Sequence, residues 1–193
     1  LTHQAVAQFI PQFIYKLITA GADPVTLDDM KSYLKDPPDA DDALITSMIG
    51  AATEWGQKYT GREFTDNEWS LLLDCFDIRI EVRRSPVATI DKVEYLVSGS
   101  NVEVSADVYY LKFGNFTSEI LLNEDKEWPT DGDDREQGIT ITFTTEQFRC
   151  GESIDTAIKQ HVAFWYANRG DCNEAAELSG VKSIYDLFKI PRT

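Results

Sequence analysis

Residues 41–62, DDALITSMIGAATEWGQKYTGR, decide the fold. Leu44, Met48, Ala51, Ala52, Trp55 and Tyr59 recur at steps of three and four, with Ile45 and Ile49 beside them. That spacing predicts an amphipathic helix. Asp41 and Asp42 fall in its first turn, where the helix dipole favours negative charge. Gly61 can turn left-handed and end it. Beyond Arg62 the chain changes character, and residues 62–152 read as short alternating strands. The helical pattern returns at 154–170, IDTAIKQHVAFWYANRG, with Ile154, Ala157, Ile158, His161, Val162, Trp165 and Tyr166 on one face and Ser153 as its cap. The expected layout is α+β: a small helical bundle of three to four helices carrying an inserted antiparallel sandwich or barrel-like β domain. Leu44, Met48, Ala52 and Trp55 should pack against Ile158, Val162 and Trp165.

Working outward, Thr26 opens a short helix, TLDDMKSYLK. Its hydroxyl can cap the first turn, and Asp29 three residues on makes a variant of the capping box. Leu27, Met30 and Leu34 mark its apolar face, and Asp36-Pro37 stops it. Residues 5–20 place Phe9, Ile10, Phe13, Ile14, Leu17 and Ile18 at helical spacing, which predicts a further helix ending at Gly21. Within 62–152 the expected strands are 68–73, 77–82, 89–96, 101–105, 107–113, 118–122 and 138–144, separated by turn signals such as Ser98-Gly99 and Gly114. The expected divisions are a helical core at 1–61 and 153–180, with 1–24 as an N-terminal helical extension, the β insertion at 62–152, and an extended C-terminal arm at 181–193.

Charge narrows the function. The formal net charge is −15, and residues 62–152 hold 20 acids against 9 bases. A sequence-independent grip on DNA phosphates needs clustered Lys and Arg and is not expected. The acidic loop 123–137 lacks the spacing of a calcium loop and reads as solvated. Cys75, Cys150 and Cys172 are odd in number with no CxxC, so reduced thiols are expected rather than a disulfide framework or zinc site. No apolar run is long enough to span a membrane, and no secretory signal is visible. His3 and His161 are the two histidines, and neither stands in a nucleophile arrangement. No Gly-rich phosphate loop, HExxH or GxSxG occurs, so no catalytic, cofactor or metal site is expected. The C-terminal stretch keeps Val181, Ile184, Tyr185, Leu187, Phe188, Lys189, Ile190, Pro191 and Arg192, too apolar for a free tail. It needs a seat, on its own domain or on another chain, and the polar link before it favours another chain.

Several of these segments, in order, resemble the head–tail connector (adaptor) family of long-tailed phages and gene-transfer particles, in the branch with a β insertion. The opening helix is Val25-Thr26-Leu27 with Met30-Lys31 and Leu34. Asp41-Asp42-Ala43-Leu44-Ile45, Ile49, Ala51-Ala52 and Tyr59-Thr60-Gly61-Arg62 resemble its second helix. Ser85-Pro86-Val87, Trp128-Pro129, and Ile154, Ala157-Ile158-Lys159, Trp165-Tyr166 and Arg169 follow, so the resemblance spans about residues 25–170. It implies a structural virion protein made in the host cytoplasm. Such proteins form a ring, typically of twelve copies, beneath the portal vertex. The ring extends the DNA channel without binding DNA specifically and seats the next head-completion (stopper) or tail protein. By the same resemblance, 181–193 would be the portal-docking arm. An excess of acid lining the channel would let DNA slide. Two other readings stay open on the residues alone: an acidic β-domain binding module of a tail or adhesin, with a sugar or protein ligand, and a small hydrolase. The first accounts for the strands but not for the flanking helix pair.

Overall fold

The computed structural model describes residues 13–114, 116–148, 152–168 and 179–190. Helix α1 (Leu27–Tyr33) starts as its sequence predicts: the Thr26 hydroxyl accepts the Asp29 N–H at 3.1 Å and donates to the Asp29 carboxylate at 2.8 Å. Lys31 then reaches Asp39 and Asp42 at 2.5 and 2.8 Å, tying α1 to the start of helix α2 (Asp42–Thr60). Gly61 ends α2 in the left-handed region at φ 78°, and its N–H returns to the Gln57 carbonyl. Helix α3 (Ser153–Ala167) packs along α2, and helix α4 (Ser179–Asp186) packs on α3 and α2. Ser153 lies inside the first turn of α3; Glu152 occupies the cap position and makes no side-chain capping bond.

The buried line of α2 runs through Ile45, Ile49, Ala52, Gly56 and Thr60. It is rotated by about one residue from the expected face. Leu44 is 40% exposed, while Met48 and Trp55 sit half-buried at the edge of the cluster. The rotation has a cause in Gly56: a Cβ there would meet Phe64 at 2.7 Å and Tyr185 at 2.9 Å. The absent side chain makes room for two aromatic rings, and they set the inward face. Ala52, Ile158 and Val162 are buried as expected, and Trp165 packs half-buried beside them.

The strands form two antiparallel sheets. The larger has the order β1 (Ile14–Thr19), β2 (Glu68–Leu73), β8 (Ile139–Thr145), β4 (Val87–Val97), β5 (Ser100–Glu103). The smaller has the order β3 (Arg79–Val82), β7 (Ser118–Leu122), β6 (Tyr109–Lys112). Alternation is clearest in β8, where Ile139, Ile141, Phe143 and Thr145 point inward. Residues from both sheets share one apolar cluster, and no closed barrel occurs among the described residues. The β4–β5 hairpin turns at Ser98 (φ 52°) and Gly99 (φ 77°), and the Asp133 carboxylate accepts both of their N–H groups at 2.8 Å. Successive positive φ values are what a tight hairpin turn of the right twist requires.

Residues 14–19 correct the expected N-terminal helix: they form the edge strand β1, paired with β2. Ile14, Ile18 and Thr19 are β-branched and Tyr15 is aromatic, which suits a strand as well as the helical spacing suits a helix. Tertiary contacts decide it. The Tyr15 ring meets Phe143 edge-on at 6.3 Å, and its hydroxyl accepts the Arg83 N–H at 2.9 Å. Phe9 and Ile10 lie outside the described residues.

The exit from α2 into the sheets is built on Glu63, only 2% exposed. Its carboxylate accepts Arg84 at 2.9 Å and the Asn67 amide at 2.8 Å. Its backbone N–H donates to the Ser85 carbonyl, and its carbonyl accepts Phe148. Arg84 lies 4.0 Å over the Trp69 ring, so charge and stacking fix it together. Arg84→Ala leaves the Glu63 carboxylate buried without its counter-ion. The expected cost is about 3 kcal/mol in urea unfolding, and a loss below about 1 kcal/mol would show that the pair is no more than a surface ion pair.

Candidate functional site

The stretch 181–190 is the first place to look for a docking function, and its apolar residues fall at helical spacing. Val181, Ile184, Tyr185 and Phe188 therefore share one side. The structure turns that side inward on the chain's own helical core. Tyr185 is fully buried, stacked at 6.2 Å on Phe64 and 5.5 Å from Trp55. Phe188 meets Phe148 edge-on at 5.9 Å. The Ile190 N–H donates to the Thr60 carbonyl at 2.8 Å, so it satisfies a carbonyl that the end of α2 would otherwise leave open. Arg62 Nε donates to the Phe188 carbonyl at 3.2 Å. The segment is therefore a short docked helix followed by a strap, and not an extended arm.

The opposite side faces out. Lys182, Ser183, Asp186, Leu187 and Lys189 are exposed, Leu187 by 76%. Tyr59 donates its hydroxyl to Asp186, and Lys189 Nζ lies 4.4 Å over the Tyr59 ring. Pro191, Arg192 and Thr193 lie outside the described residues, as do Arg169, Gly170, Cys150, Cys172 and His3. Seven of the nine expected docking residues are described, and they divide: Val181, Ile184, Tyr185, Phe188 and Ile190 anchor the segment, and Leu187 and Lys189 are presented.

Under α4 sits His161, fully buried, with its ring 4.0 Å from Trp165, 5.1 Å from Trp55 and 6.3 Å from Tyr185. Neither ring nitrogen has a hydrogen-bond partner among the described residues, and the Tyr185 hydroxyl also lacks one. Burial pushes the His161 pKa down to about 4 and raises that of Tyr185. The imidazole is held by ring packing against Trp165, Trp55 and Tyr185. No group of three or more His, Cys, Asp or Glu side chains that could hold a metal occurs among the described residues. The acidic loop is exposed over Glu124–Glu127 and Thr130–Gln137, as a solvated loop should be. Cys75 is exposed as a free thiol. No helix among the described residues is long and apolar enough to cross a membrane.

A cleft of about 440 Å³ lies between the β2–β3 connection and residues 128–134, walled by Phe76, Ile78, Tyr95 and Trp128. Phe76 stacks on Trp128 at 4.6 Å, and the Trp128 indole N–H donates to the Asp77 carbonyl at 2.9 Å. Sequence reasoning missed this cleft, because its walls come from four separate segments with no shared motif.

Residues 24–98 match the family model described as phage gp6-like head-tail connector protein. That span runs from α1 through β4 and contains the helix that opened the sequence reading, so the head–tail connector resemblance is borne out there. A search of curated proteins gives no match. Among solved structures, a chain in the neck of an empty GTA particle computed with C6 symmetry superposes with a TM-score of 0.76 at 18% identity, covering 93% of this chain and 97% of that one. A chain in the virion of a native gene transfer agent (GTA) particle gives 0.74 at 18% identity, and one in the neck of a native GTA particle computed with C12 symmetry gives 0.70 at 19%. Both have the same coverage of 93% and 97%. The likeness shows a fold shared over 93% of this chain.

Two outcomes check the helical seat. His161 is neutral when folded down to about pH 4, while the unfolded chain takes up a proton below about 6.5. Its contribution is therefore complete above pH 6.5 and is lost as pH falls from there toward 4. From pH 7.5 to 5 the loss should be about 2 kcal/mol in urea unfolding, and His161→Leu should remove that part of the pH dependence. Tyr185→Phe should leave stability unchanged or raise it, since its hydroxyl has no partner to lose among the described residues. Tyr185→Ala should cost about 3–5 kcal/mol.

Proposed function

We propose that this chain, whose residues 24–98 match the phage gp6-like head-tail connector family, is a structural head–tail connector of a phage or gene-transfer particle neck. The observation that carries the reading is the coincidence of that match with a fold shared over 93% of the chain with chains of particle necks. In this reading copies form a ring, probed in relatives by structures computed with C6 and C12 symmetry. The ring seats on the portal of the filled head, prolongs the DNA path and offers its far side to the next head-completion or tail protein. It works in the virion and catalyses no reaction.

Within this reading the docking segment acts by its outer side. Val181, Tyr185, Phe188 and Ile190 keep it on the helical core, and Leu187 with Lys189 meets the portal. Docking is weak per copy and is multiplied when many copies engage one portal ring. The charge of −15 serves the channel. Acids facing the lumen repel the phosphates and leave DNA free to slide. An assembled ring with a basic lumen would sink that part of the reading.

Deleting 181–193 is a poor test, because it removes Tyr185 from the core. Leu187→Ser with Lys189→Ser leaves the buried side in place. Negative-stain imaging with the portal of the same particle should show rings at one end for the parent chain. The double variant, with unchanged circular dichroism and melting, should bind at least about tenfold more weakly. Full portal binding by the double variant would remove the segment from the contact, and no ring with either chain would remove the connector reading.

A further inference from the structure

The five-stranded sheet ends in two edges of different character. At one stands β1, whose last four residues, Lys16 to Thr19, are exposed, Leu17 by 49% and Ile18 by 52%. At the other stands β5, exposed at all four positions, with Val102 at 38%. Among the described residues no strand pairs with the outer side of either. An edge strand presents a row of unpaired N–H and C=O groups, and apolar side chains beside them invite a further strand. Charge separates the two edges: β1 carries one base, Lys16, and no acid, while β5 carries one acid, Glu103, and no base. Neither Lys16 nor Glu103 has an ion pair among the described residues. Glu103 stands directly across from Glu94, whose own partner is Lys92 at 2.9 Å. Like charges opposite each other on a sheet repel, so the β5 edge gains from a base brought from outside.

The register of the sheet fixes which groups can meet. The pairs Tyr15–Leu71, Leu71–Ile141, Ile139–Tyr95 and Tyr95–Val102 run across it. Side chains alternate along a strand, so Leu17 and Val102 share one face, and Lys16 and Glu103 share the other. Every step from β1 to β5 is antiparallel, and there are four of them, so the two edge strands run in the same direction. A second copy reached by a small rotation can therefore lay its β1 parallel to β5 with both faces matched. A two-fold axis instead sets β1 on β1, or β5 on β5, and brings Lys16 towards Lys16 or Glu103 towards Glu103. Charge favours the unlike pair over both like pairs.

We propose that β5 of one copy pairs in parallel with β1 of a second copy, with Val102 beside Leu17 on one face and Glu103 close to Lys16 on the other. The contact joins unlike edges, so each chain offers one and accepts one, and repetition closes a ring when the rotation allows. The inference rests on the ring reading above for closure, though not for the pairwise contact. Backbone hydrogen bonds supply the attachment. The apolar pair and the charge pair set the register, because a slip by one residue exchanges the two faces.

Paired strands lie about 4.8 Å apart, within reach of a disulfide. In a full-length chain with Cys75→Ser, Cys150→Ser and Cys172→Ser, Leu17→Cys together with Val102→Cys should form disulfide-linked ladders under mild oxidation, alone or with portal rings present. Mixing a Leu17→Cys chain with a Val102→Cys chain should give mixed dimers and nothing longer. Dimers from either chain by itself reveal a two-fold contact and overturn the proposal. No ladder in either setting leaves the β1 edge to residues 1–12 or to another protein, and also overturns it. Charge reversal tests the other face. Lys16→Glu, with unchanged circular dichroism, should weaken self-association about tenfold in native mass spectrometry. Adding Glu103→Lys should restore it, and a double variant as weak as the single one overturns the contact. A ring on the portal without the ladder overturns this contact and leaves the connector reading standing. Ladders that form as described in a chain that never binds a portal overturn the connector reading and leave the contact.

Discussion

Glu63 brings a carboxylate where almost no solvent reaches, at the point where the chain leaves its longest helix and enters the sheets. A charge so placed is tolerable only if it is neutralised and hydrogen-bonded. Here the partners come from the far side of the junction: Arg84 from the turn between β3 and β4, and Asn67 from the approach to β2. Asn67 also bonds the Thr145 backbone and accepts the Gly21 N–H at 2.9 Å, bringing the end of β8 and the segment after β1 to the same point. The requirement of one buried anion therefore gathers four distant stretches of chain. Moving any of them leaves an unpaired charge or an open amide.

From that junction the two apolar clusters extend in different directions. One is made by the sheets; the other by α1–α4 with Phe64, the residue next to Glu63. The Gln57 amide oxygen accepts the Phe64 N–H at 2.7 Å, so the last turn of α2 grips the linker itself. The junction between the helical part and the sheets is therefore short and held from both sides.

Much of this was legible from residue spacing. The capping box at Thr26, the stop at Gly61 and the strands at 68–73 and 118–122 stand where local chemistry puts them, because turn residues and period-two alternation act over a few residues. The orientation of α2 was not legible. Ile45 and Leu44 are adjacent and similar, and the choice between them falls to Gly56, whose missing side chain admits Phe64 and Tyr185 from distant sequence. Residues 14–19 failed for the same reason: Phe13, Ile14, Leu17 and Ile18 fit a helical period, and the partner strand that claims the segment lies some fifty residues away. The C-terminal segment is too apolar to stay free and its spacing, Val181–Tyr185–Phe188, is helical, but that its seat is the chain's own core depends on Phe64 and Trp55, far away in sequence. The cleft at Phe76 and Trp128 left no local signal at all.

The bond from Ile190 to Thr60 ties the chain's last described residue to the last turn of its central helix. Two equilibria become one. If the strap lifts, the end of α2 loses its cap next to Gly61 and Arg62, so the angle at which the sheets leave the helix loses a restraint. By thermodynamic reciprocity, whatever stiffens that exit, including a neighbour pressed on the sheets, must also favour the strap in place. The strap and the sheets are thus linked as a lever and its pivot, through this bond and the one from Arg62 Nε to the Phe188 carbonyl.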